Sequence, residues 1–177
     1  MDFICPLEPK PSWCCEQCKQ TPDNDPQKIR LYCFEETLAA FKNDYKLLSL
    51  AECKQIATNI CAFYGVPQPE IKDGRGLKTA RGGFNPDMKL RIKLPRQYRF
   101  RVAVLHESAH CIFQYLTQNE VGQHQPHDPT YVQYLLDIYA KCLNLPLSHL
   151  QHVAAKFNLQ FCSEKLCLKS SSINLND

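Results

Sequence analysis

The chain has no run of apolar residues approaching the roughly 18 that a membrane-spanning helix requires. Its first residues, Met1, Asp2, Phe3, Ile4, Cys5 and Pro6, do not place a basic region ahead of an apolar stretch, as an export signal does. No membrane partner is therefore expected, and the cytoplasm is the expected location. There is no internal repeat, and the overall charge of +3 is too small to mark a partner by itself. At 177 residues the chain can bury one real core but not two ordinary ones. A hydrophobic share of 44% with 22% charged residues is ordinary for a globular domain and excludes disorder throughout.

Cysteine, by contrast, is abundant. Eleven is an odd number, so the chain cannot pair all of its cysteines internally, and in a reducing compartment they read as buried thiols or metal ligands. Charge is concentrated in one place. Between Lys72 and Arg101 there are ten Lys or Arg and only the acids Asp73 and Asp87, a local charge of +8.

Three divisions follow. Residues 1–33, with Cys5, Pro6, Pro9, Pro11, Cys14, Cys15, Cys18, Pro22, Pro26 and Cys33, read as an irregular extension. Residues 34–160 hold the expected domain, and residues 161–177, Ser-rich toward the end, an expected tail that is partly disordered.

Within the domain, Leu38, Phe41, Tyr45 and Leu48 recur at three- and four-residue steps and predict a helix from Glu35 to about Leu48. Ser49 with Glu52 forms a capping box for a second helix, which Gly65 ends near Tyr64. Residues 70–72 suggest a short strand. A hairpin is expected from Leu77 to Pro95, in which Leu90, Ile92 and Leu94 alternate with Lys89, Arg91 and Lys93. The longest helical pattern runs from about Gln97 to Leu116, with Val102, Leu105, Ala109, Ile112, Phe113 and Leu116 on its apolar side. After a polar loop, Asp128 and Pro129 make an N-cap and first helical position, and that helix should reach about Cys142. A last helix follows Pro146, to about Phe157.

The chemistry lies in the longest helix. His106, Glu107, Ser108, Ala109 and His110 fit the pattern His-Glu-x-x-His. At about 3.6 residues per turn, positions four apart share a face, so both imidazoles can reach one ion. Zinc suits imidazole nitrogen, and a catalytic zinc site keeps three protein ligands so that water can occupy the fourth position. Glu107, between the ligands, is the candidate general base toward that water. The plainer alternative is a core helix with two partly buried histidines.

His127 is the expected third ligand. It follows a loop long enough to reverse the chain, and the helix that starts at Asp128 can fix it. His124 is its nearest competitor, and Glu120 and Asp137 are carboxylate alternatives. Tyr131, one turn further on, reads as an aromatic plug beneath the metal or, alternatively, as a hydroxyl aimed at a developing oxyanion.

His106-Glu107-x-x-His110, followed by His127, Asp128, Pro129, Thr130 and Tyr131, resembles the SprT-like (Spartan-like) zinc metallopeptidases, whose third histidine opens a segment with an aromatic four residues on. The hairpin ending in Ile92-x-Leu94-Pro95 is similar to that layout. The resemblance covers about residues 35–145. It implies an α+β fold: a small zincin-like domain with a short antiparallel sheet beside the metal-binding helix, and further helices. It also implies proteolysis, in some members of proteins attached to DNA. This chain has Asp128 where the family usually has glycine, and it lacks the downstream CxxC pairs of a zinc ribbon.

Two weaker signals remain. Cys15 and Cys18 form a CxxC that could join Cys5 and Cys33, or Cys162 and Cys167, in a second, structural zinc site; ordinary thiols are the plainer reading. The segment from Lys72 to Arg101 could contact nucleic acid or an acidic partner, or could be a solvated basic face. His149 and His152 read as surface residues. The expectation is thus a zinc metallopeptidase acting on protein or peptide; its rival is a non-enzymatic, zinc-stabilised binding module using the basic hairpin. The sequence sets no oligomeric state.

Overall fold

A computed structural model of the chain describes residue 25 and residues 27–42, 45–118 and 125–162. Their elements, in chain order, are α1 (Lys28–Lys42), α2 (Leu50–Phe63), β1 (Glu70–Asp73), β2 (Arg81–Phe84), β3 (Leu90–Leu94), a 3-10 turn (Arg96–Tyr98), α3 (Arg101–Leu116), α4 (Pro129–Leu143) and α5 (Leu147–Lys156). The class is α+β. The three strands form one sheet in the order β1-β3-β2, with β2 antiparallel to β3 and β1 parallel to it. The sheet is therefore mixed, a correction to the expected antiparallel one. Hairpin pairing is local and visible in sequence, whereas the β1 to β3 pairing spans a long connection.

Local chemistry sets most boundaries. Ser49 Oγ accepts from the Glu52 amide at 3.2 Å, and the Glu52 carboxylate accepts from the Ser49 amide at 2.7 Å, closing the capping box of α2. Gly65 then adopts φ +65°, which ends the helix without a Cβ penalty. In the hairpin, Leu90, Ile92 and Leu94 are buried while Lys93 is exposed. Asp128 caps α4 by accepting from the Tyr131 amide at 2.8 Å, with Pro129 in the first helical position.

The first helix departs from expectation. It spans Lys28–Lys42 rather than Glu35 to Leu48, so the division expected after residue 33 falls inside it. Its buried side is Leu31, Phe34 and Leu38, a three-then-four spacing that starts well before Glu35; Tyr45 and Leu47 are exposed. The density of prolines and cysteines before residue 34 hides this stripe. Similarly, Leu116 at the end of α3 is more exposed than its position in the apolar pattern suggests.

Helix α3 is the centre of the molecule, packed by β2 and β3 on one side and by α2 and α4 on others. Its buried residues Val102, Leu105, Ala109, Ile112 and Phe113 join Ile60, Ile92, Leu94, Leu135 and Ile138 in one core. Each Val, Leu, Ile or Phe side chain among them contributes about 1.5–3 kcal/mol by leaving water. Strand β2 lies so close to α3 that a Cβ on Gly82 would sit 2.2 Å from the carbonyl oxygen of Glu107. Only glycine fits there. The strand is thus pressed against the middle of the helix, beside its two histidines.

Candidate metal centre

The three expected ligands converge. His106 and His110 project from one face of α3, and His127 comes from the residue just before the N-cap of α4; one ring nitrogen from each lies within 4.8 Å of the others. Nε2 of His106 and Nε2 of His110 are 3.1 Å apart. Among the competitors, Asp137 is elsewhere, accepting from the Tyr64 hydroxyl at 2.5 Å and paired with Lys141. Glu120 and His124 lie outside the described residues.

Two carboxylates hold the imidazoles from behind. His106 Nδ1 donates to Glu35 Oε1 at 2.6 Å, and His127 Nδ1 donates to Asp25 Oδ2 at 2.6 Å. A proton fixed on Nδ1 leaves Nε2 as the lone-pair nitrogen, which is how metal-ligating histidines are oriented. Glu35 is itself held by the Tyr139 hydroxyl, which donates at 2.6 Å. Gln27 donates to the backbone carbonyl of His127 at 3.0 Å and accepts from the Gln160 amide at 2.5 Å, pinning the loop on which His127 sits.

Tyr131 forms the floor. It is fully buried, stacks on His110 at 4.4 Å between ring centroids, and donates its hydroxyl to the backbone carbonyl of His106 at 3.2 Å. That hydroxyl is committed to the fold, as in the plug reading. Tyr32, partly exposed on α1, lies with its ring 5.7 Å from that of His106 and 6.1 Å from that of His127.

The residues suit a divalent cation on four observations. His127 Nε2 is buried without a hydrogen-bond partner, which costs free energy that a Lewis acid would recover. Burial works against charge on His106, yet Glu35 above all, with Glu107 and Asp25, holds its pKa up at about 9, so the surrounding carboxylates favour positive charge at this point. Burial and the neighbouring His106 and His127 keep His110 well below the usual histidine range, in the neutral form that binds metal. Burial likewise lowers His127, against the opposing pull of its bond to Asp25.

Glu107 is almost completely buried beside His106. Burial pushes its carboxyl up to about 6, opposed by the charge of His106 and by a hydrogen bond from the Gly82 amide, with Glu35 adding to the rise. Strand β2 thus orients the carboxylate. Glu107 and His106 also line a cavity of about 270 Å³ between α1, the residues before β2 and the start of α3.

Asp25, Gln27, Glu35, Tyr139 and Gly82 belong to the site without any motif in the sequence to mark them. Their partners lie 25 to more than 100 residues away, so spacing carries no trace of them. Of the cysteines named for a second zinc site, Cys5, Cys15, Cys18 and Cys167 lie outside the described residues. Cys33 is buried in the core, and Cys162 lies 3.6 Å from the Thr130 hydroxyl. His149 and His152 are exposed. No described helix is long and apolar enough to cross a membrane.

No protein-family model matches the chain, and searches of curated proteins and of solved structures give no match either.

Proposed function

We propose that this chain is a zinc-dependent metallohydrolase, of zincin-like fold and related by its motifs to the SprT-like peptidases, that cleaves a peptide bond. One observation carries the proposal: three imidazole nitrogens converge, two of them oriented by carboxylates, beside a buried glutamate that opens on a cavity. All-imidazole donors with a buried polar frame favour zinc over the hard, oxygen-seeking cations. A zinc ion held by His106, His110 and His127 would acidify water and polarise a carbonyl.

The chain's own groups supply the rest. Glu107 takes the proton from the attacking water and passes it to the leaving amine, a role that suits a carboxyl whose burial brings it toward neutrality. Glu35 and Asp25 keep the Nδ1 protons of His106 and His127 in place, and Tyr131 closes the floor to solvent. The cysteine content fits a reducing cytoplasm, which is the location we propose.

The test is hydrolysis of a mixed peptide pool by the zinc-loaded protein. Glu107→Gln should reduce it by at least ~100-fold. Undiminished cleavage by Glu107→Gln would remove the general-base assignment.

A second reading draws on the sheet. Its register sets Lys72 opposite Lys93 and Lys93 opposite Arg81, a row of cations across all three strands, and each of them is exposed. Like charges so placed repel, which a polyanion would relieve. Glu70 offsets part of the row by pairing with Lys72 and Arg91, and Asp73 pairs with Arg99. In this reading the zinc site is structural and the sheet binds nucleic acid; binding insensitive to salt would count against it.

A further inference from the structure

We infer that the substrate places a large apolar side chain, aromatic or long aliphatic, in the cavity beside Glu107. The inference rests on the metallopeptidase reading and adds the class of residue next to the bond that is cut.

The cavity shares two walls with the candidate centre, His106 and Glu107, so whatever fills it adjoins the reacting carbonyl. Its volume of about 270 Å³ falls below the roughly 300–1,000 Å³ of pockets that enclose a whole small ligand. That is room for one bulky side chain. Much of the remaining surface comes from Tyr32 of α1, Ala80 ahead of β2, Tyr98 of the 3-10 turn, and Phe100 and Ala103 at the start of α3. Ala80 and Ala103 make the space, and the three aromatic rings give it an apolar lining.

Three carboxylates lie in the wall; Glu107 accepts from the Gly82 amide, and the other two also have partners. Glu35 accepts from His106 and Tyr139, and Glu36 accepts from the Tyr45 hydroxyl at 3.1 Å. With those carboxylates already engaged, a cationic side chain would lose its water mainly to rings and methyl groups, which is unfavourable, whereas an apolar one gains by leaving water.

The experiment uses the zinc-loaded full chain and three peptidyl hydroxamates that differ only in the side chain beside the hydroxamate: methyl, benzyl or aminobutyl. Calorimetry should show the benzyl compound binding roughly 10- to 100-fold more tightly than the methyl compound. Ala103→Leu fills the cavity from α3, and leucine preserves the helix; the benzyl advantage should fall below about 3-fold. Tyr98→Ala, which removes a separate wall, should also reduce it. Equal affinity for all three compounds, or tightest binding of the aminobutyl one, overturns the inference and leaves the metal reading standing. Absence of any zinc-dependent hydroxamate binding overturns both.

Discussion

Asp25 and His127, 102 residues apart in the chain, meet through a 2.6 Å hydrogen bond in the interior. The segment that reads as an extension therefore supplies the support for the third ligand, and Glu35, on the first helix, does the same for the first. Asp25→Asn and Glu35→Gln are each expected to weaken zinc binding by roughly 10- to 100-fold, the usual effect of losing such a partner. Competition with a zinc-chelating dye measures this. Affinities within twofold of the unaltered protein would show that these carboxylates do not orient the imidazoles.

Gly82 tests the contact between strand and helix. A methyl group there meets the Glu107 carbonyl oxygen at 2.2 Å, so strand and helix must separate. Gly82→Ala should destabilise the protein by about 1–3 kcal/mol, seen as an earlier urea midpoint, and should reduce hydrolysis by displacing Glu107. An unchanged midpoint would mean that β2 is free to move away.

Tyr131 separates floor from catalyst. Tyr131→Phe removes one hydrogen bond and should cost about 1 kcal/mol of stability with little change in turnover. Tyr131→Ala should cost about 3–5 kcal/mol, as for other buried aromatics. A large loss of turnover in the stable, zinc-loaded Tyr131→Phe protein would instead place the hydroxyl in the reaction.

These elements show which parts of the structure are legible in sequence. The capping box at Ser49 and Glu52, the N-cap at Asp128 and the alternation from Leu90 to Leu94 are interactions between near neighbours, and their residue types announce them. The His106 and His110 pair is legible for the same reason, since helical geometry converts a spacing of four into a shared face. The parallel pairing of β1 with β3 and the carboxylates behind the histidines depend on distant residues meeting, which only the packed core determines. The early start of α1 is encoded in the spacing of Leu31, Phe34 and Leu38, which the surrounding prolines and cysteines mask.

Cysteine chemistry gives an independent check of the core. Burial pushes the thiols of Cys61 and Cys111 up to about 12, so they stay protonated and shielded at pH 8. Iodoacetamide followed by mass mapping should leave both unmodified in the native protein and label both in denaturant; Cys162, half-buried, should react faster than either. Rapid native labelling of Cys111 would place it outside the interior.

The most direct measurement is the zinc content of purified protein and its variants by elemental mass spectrometry. About one zinc ion per chain is expected at the histidine centre, retained in Glu107→Gln and lost in both His110→Ala and His127→Ala. A folded His127→Ala protein that keeps its zinc with undiminished affinity would contradict the three-histidine centre on which the proposed chemistry depends.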